Sequence, residues 1–190
     1  MAAVDLSEST PSQTSATLTA VLASPPKSSG ALSRGRVALA ATTLGFEAFR
    51  IVNLFGEETH STGEITLLGI EQEAWMPARR TIRQALKAAD VVLLGYGTSE
   101  PSGPALGHHR EQVEWLRREM AETGVLRIVT VGGAPRHPSR WHRHTFRTRP
   151  GVAFPDALQL EMGSESLSDH LARVRPSLGA AETVRRKKPA

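Results

Sequence analysis

Four short apolar runs recur along the chain, at residues 18–23 (LTAVLA), 49–55 (FRIVNLF), 91–95 (VVLLG) and 126–131 (LRIVTV), and the first three are each followed by a segment with helical spacing. After the first run, Val37, Ala40, Ala41 and Leu44 fall at i, i+3, i+4 and i+7, with Gly45 as a stop. After the second, Ile82, Ala85, Leu86 and Ala89 form a stripe entered at Pro77. After the third, Val113, Leu116 and Met120 repeat the pattern up to Gly124. Parallel strands require crossover connections, and right-handed crossovers pack helices on both faces of the sheet. The alternation therefore predicts an α/β domain of three layers, α/β/α, around a central, mainly parallel four-stranded sheet.

With 190 residues the chain has room for one domain of this kind and for loose ends. Residues 1–17, rich in Ser, Thr and Ala, read as a disordered leader. Residues 18–162 read as the domain. Residues 163–190, ending in Arg185-Arg186-Lys187-Lys188, read as a flexible basic tail. Residues 56–75 interrupt the alternation and read as an irregular excursion.

Open α/β sheets bind ligands beyond the carboxyl ends of their strands. The segments after Ala23, Leu54, Leu94 and Val131 are thus expected at one edge. Charge is distributed unevenly there. The net charge is only +4, yet residues 136–149 hold five Arg and three His with no Asp or Glu, a composition that favours an anion.

Several residues of these segments are candidates for chemistry. Asn53, at the end of an apolar strand, carries an amide able either to read a heterocycle or to tie down the neighbouring loop. His137, made extended by Pro138, is either a surface imidazole or a donor to charge developing on a carbonyl. Arg136, Arg140, Arg143, Arg147 and Arg149 suit phosphate, or remain solvated. Trp141 is placed to stack on a base, Ser139 to join the contacts, and Gly95 and Gly97 to let a ligand approach the backbone.

Other classes are disfavoured. Without cysteine there are no disulfides or thiolate sites, which fits a cytoplasmic protein. No secretory signal is visible near Asp5 and Glu8, and no run is long enough to span a membrane. His142 and His144 have no acidic neighbour to complete a metal site. Neither glycine cluster continues into a dinucleotide fingerprint or a P-loop, and no Gly-x-Ser-x-Gly elbow is present, so no cofactor is expected.

Arg50-Ile51-Val52-Asn53-Leu54-Phe55, then Ala89-Asp90-Val91-Val92-Leu93-Leu94-Gly95-Tyr96-Gly97, then Pro135-Arg136-His137-Pro138-Ser139 resembles domain-of-unknown-function family 1643. That family is similar in motif order to the uracil-DNA glycosylase superfamily. The resemblance implies a glycosylase-like fold, a base taken out of its stack, Asn53 as the base-reading amide and His137 as the imidazole facing the leaving base. Where the glycosylases carry a water-activating Asp after the first strand, this chain has Leu22-Ala23-Ser24-Pro25, which leaves Glu57 or Glu58 as candidate replacements. Two functions follow as expectations. One is a glycosylase-like protein binding a nucleobase, nucleoside or nucleic acid with altered N-glycosidic hydrolysis. The other is a noncatalytic nucleic-acid-binding or regulatory module. A small-molecule enzyme on the same fold is a third, since fold does not fix function.

Overall fold

The computed structural model describes residues 17–174. The chain runs β1 (Thr17–Leu22), α1 (Ala31–Thr43), β2 (Ala48–Asn53), α2 (Thr62–Leu68), α3 (Met76–Leu86), β3 (Val91–Gly95), α4 (Pro104–Glu122), β4 (Arg127–Val131), α5 (Trp141–Thr148), α6 (Phe154–Glu161), β5 (Met162–Ser166) and α7 (Leu167–Val174). Short 3-10 turns at Gln72–Ala74 and Pro138–Arg140 complete it.

The sheet has the order β2-β1-β3-β4-β5. The first four strands are parallel, as the alternation predicts. A fifth strand corrects the expected four: β5 runs antiparallel to β4, pairing Arg127 with Ser166 and Thr130 with Gly163. The sheet is therefore mixed. Its polar sequence, Met-Gly-Ser-Glu-Ser, is held by backbone pairing and buries no alternating face, so it carries no strand signature. The stretch read as the start of a tail thus holds β5 and α7, while residues 1–16 and 175–190 lie outside the described residues.

Two apolar clusters lie on opposite faces of the sheet. Leu18, Ala20 and Leu22 of β1 pack with Leu93 and Val131 against α1, α5 and α6. Val21, Val52, Leu94 and Ile128 pack against α3, α4 and α7. This division follows the two-residue period of the strands. Every residue of β3 is buried, as a strand covered on both faces requires.

The excursion after β2 is more ordered than its composition suggests. It contains α2, a helix that buries only Ile65 and leaves Leu67 and Leu68 exposed, so no apolar stripe marks it. Ile65 joins Phe55 and Trp75 in a third small cluster. The Trp75 indole donates to the carbonyl of Gly69 at 3.1 Å. Gln112 of α4, fully buried, ties this region to the sheet: its amide donates to the carbonyls of Leu54 and Trp75 and accepts from Arg79. A buried amide used on both sides avoids the cost of an unpaired polar group.

Candidate anion-binding cleft

The site begins where β4 ends. Val131 is followed by Gly132 and Gly133 at φ 62° and 70°. At Gly132 a Cβ would lie 2.1 Å from Nε2 of His144, so close approach as well as conformation demands glycine. The turn brings Val131 into bridge contact with Ala134 and Pro135 and delivers the chain to His137.

Three hydrogen bonds from three different elements hold the backbone around that imidazole. Gly97, after β3, donates to the carbonyl of Pro135 at 2.6 Å. The Trp141 indole donates to the carbonyl of Arg136 at 2.7 Å. Arg36 of α1 donates to the carbonyl of Pro138 at 2.7 Å. His137 is extended, with φ −61° and ψ 139°, the conformation that a following proline imposes. It caps the 3-10 turn with its own ring: Nδ1 accepts from the backbone amide of Ser139 at 3.3 Å and lies 2.8 Å from the Ser139 hydroxyl.

That cap fixes the tautomer. A ring nitrogen that accepts from an N–H carries no proton, so the proton of neutral His137 sits on Nε2 as a donor. Burial, reinforced by the positive charge of Arg140, lowers the His137 pKa below its ordinary value. The imidazole is therefore neutral at pH 7.

His137 lines a cleft of about 830 Å3 at the carboxyl ends of β1, β3 and β4. Arg136, Arg140, Arg143 and Arg147 share that wall. Arg140, Arg143 and Arg147 make no salt bridge or side-chain hydrogen bond among the described residues, and the Nε of Arg136 is buried without a partner. Arg149 differs, because it pairs with Glu161 at 2.8 Å, as does His144 at 3.0 Å. Hydroxyls make up much of the facing wall, among them Ser24, Ser29, Thr59, Ser61 and Ser99. The Ser24 and Thr59 hydroxyls meet at 2.5 Å, and Thr59 donates to the carbonyl of Pro25, so the segment after β2 is fastened to the loop after β1. The N-terminus of α1 also opens here at Gly30 and Ala31, with no side-chain cap and no acidic residue in its first turn. Its positive dipole end adds to the arginines.

Among the described residues no carboxylate lines the cleft. Glu57 and Glu58 are exposed and stand outside it, so neither occupies the place of a water-activating acid. The arrangement can bind anions through fork-shaped donors and can offer one fixed neutral N–H to a developing negative charge.

The structure brings Gly97, Arg136, His137, Ser139 and Arg140 together in the cleft. It places three other candidates elsewhere. Trp141 is fully buried in the core and supports the Arg136 carbonyl, so its ring is not free to stack on a ligand. Gly95 is buried beneath the loop, where a Cβ would meet Leu22 at 2.8 Å and Pro138 at 3.4 Å; its glycine serves the packing of the His137 turn. Asn53, half-buried at the end of β2, pairs with Leu22, which separates it from Gly95, and it does not line the cleft. His142 rests against Phe154 while His144 binds Glu161, and among the described residues no three His, Asp or Glu converge as metal ligands. Sequence reasoning missed the hydroxyl wall, since scattered Ser and Thr carry no spacing signal.

Among the described residues no helix is long and apolar enough to cross a membrane. A family model described as protein of unknown function (DUF1643) matches residues 26–139, well over half of the chain and all of the segment from the Pro26 loop to Ser139. No curated protein and no solved structure matches the chain.

Proposed function

Given that the chain belongs to the DUF1643 family of proteins of unknown function, we propose that it is a glycosylase-like α/β protein that holds a phosphate-bearing nucleobase ligand, a nucleotide or nucleic-acid strand, in this cleft. The observation that carries the reading is a cleft lined by four arginines and a neutral imidazole with a defined N–H and, among the described residues, by no carboxylate. Arg140, the N-cap of α5, and Arg143 and Arg147 within it follow one another at i, i+3 and i+7. At 1.5 Å rise per residue, Arg140 and Arg147 are about 10 Å apart along the axis. That span matches about three steps of a nucleic-acid strand at ~3.4 Å each. The arginines would supply affinity. His137 would donate from Nε2 to the charge that develops on a base as its glycosidic bond breaks, in keeping with the glycosylase-like motif order.

The test is binding of a fluorescent single-stranded DNA oligonucleotide across a salt series. Affinity should fall steeply with salt, with a log–log slope of about −0.7 per phosphate neutralised. Arg143→Ala and Arg147→Ala should each reduce that slope by about one contact. Affinity that ignores salt, or that survives loss of both arginines, would sink the reading. The noncatalytic alternative draws support from the absence of a lining carboxylate among the described residues and from the position of Asn53 outside the cleft. Salt-dependent binding without abasic-site formation would favour it.

A further inference from the structure

Between Arg50 and Arg79 the chain carries five Glu and no Lys, Arg or Asp, and the same stretch leaves four large apolar side chains in solvent. Leu67 and Leu68 end α2, Ile70 follows it and Met76 opens α3, exposed by 69%, 40%, 44% and 46%. The Trp75 indole, bonded to the Gly69 carbonyl at 3.1 Å, draws the end of α2 to the start of α3, so the four surround one turn of chain. The rim is acidic. Glu71 and Glu73 stand exposed in that turn, and Gln72 donates to Glu111 of α4 at 3.4 Å, which sets a third carboxylate beside them. Arg79 is occupied with Gln112 and the Trp115 ring, and Arg80 lies beyond it on α3.

An apolar patch rimmed by carboxylates repels nucleic acid and anionic lipid, and suits a partner that carries both apolar and basic side chains. This chain holds such a segment. Residues 175–190, outside the described residues, contain Leu178, Val184, five basic residues and a single acidic one, Glu182, with Arg185-Arg186-Lys187-Lys188 consecutive. The helix from which this segment leaves, α7, and the helix that bears the patch, α2, both pack on α4. With 19 residues α4 is about 28 Å long. The thirteen residues from Arg175 to Lys187 span about 43 Å when extended, enough to pass along it. We propose that segment 175–190 docks in cis on the patch of Leu67, Leu68, Ile70 and Met76, with Lys187 and Lys188 against Glu71, Glu73 and Glu111.

Exposed ion pairs are individually weak and are screened by salt. Tethering offsets that weakness, because a segment on a short linker meets its site at an effective concentration on the order of millimolar. A contact too weak to hold a separate peptide at micromolar concentration is therefore occupied within the chain. Docking also engages the four consecutive cations, so a polyanion competes with the patch for them.

The test is carbodiimide coupling of carboxylates directly to lysines in the full chain, at low salt and micromolar concentration, with monomer and dimer separated before peptide mapping. Lys187 or Lys188 should join Glu71, Glu73 or Glu111 within the monomer. Leu67→Ser with Ile70→Ser, at exposed positions that leave the core intact, should lower that yield about fivefold or more, as should salt at about 0.5 M. A second readout needs no coupling. Arg185→Glu, Arg186→Glu, Lys187→Glu and Lys188→Glu together should shift the amide NMR resonances of residues 67–76 and leave those of the sheet in place. Couplings found only in the dimer put the segment on a second copy and overturn docking in cis. Couplings spread over other surface carboxylates such as Glu122 and Asp156, or a yield indifferent to the apolar substitutions in a folded protein, overturn the proposal, as do unmoved resonances at 67–76.

Discussion

The guanidinium of Arg36 donates to the carbonyl oxygen of Pro138 at 2.7 Å, across 102 positions of sequence. It joins the first helix to the turn that carries His137 without itself lining the cleft. Arg36→Met should lower stability by about 1–2 kcal/mol through the lost charged hydrogen bond. It should also weaken oligonucleotide binding severalfold while leaving the salt slope intact. Urea denaturation and a salt-series binding assay read the two effects separately.

Trp141 performs a related task from below. Trp141→Phe keeps most of the buried ring but strands the Arg136 carbonyl, which predicts a loss of about 1–2 kcal/mol. Trp141→Ala adds a cavity and should cost about 3–5 kcal/mol. Chemical denaturation of both variants checks the difference; no loss in Trp141→Phe would remove the hydrogen bond from the account, and equal losses would remove the cavity.

Gly132 and Gly133 share positive φ but differ in surroundings. Beside Gly132 stands the His144 ring, whereas a Cβ on Gly133 would meet nothing within 4 Å. Gly133→Ala should cost about 1 kcal/mol from backbone conformation alone. Gly132→Ala should cost roughly 1–3 kcal/mol and displace His144 from Glu161. Thermal denaturation ranks the two, and the His144 resonance in an NMR spectrum reports the displacement.

The pH dependence of His137 has a defined sign. Burial and then Arg140 hold its folded pKa below 6.5, so below that value the unfolded chain binds the proton more readily. Stability is therefore full above about pH 6.5 and falls as pH drops from there toward the folded pKa. His137→Asn should flatten part of that decline. His109 contributes with the same sign, so the slope should not vanish. Urea midpoints measured from pH 7 to 5 on both proteins test this.

The parallel strands were legible because β1, β3 and β4 are buried along nearly all their length and so carry continuous apolar runs such as Val91–Gly95. His137 was legible through its proline, which fixes the backbone locally. The position of Trp141 was not: an indole among arginines reads as exposed, and its burial depends on α5, which buries only Trp141 and Thr145 and so shows no stripe. Asn53 is a strand-end amide whose setting is decided by the neighbouring strand, a tertiary fact.

Had the sheet stopped at β4, its border would have been Ile128-Val129-Thr130-Val131, a row of unpaired amides on β-prone side chains. Such a border invites another chain to add itself as a strand. With β5 in place the border is instead Gly163, Ser164, Glu165 and Ser166, and Glu165 is engaged by His170 and Arg173 of α7. The late, polar end of the described chain thus acts as a guard against templated aggregation, and truncation after Met162 should increase self-association, read as a shift to larger species in size-exclusion chromatography.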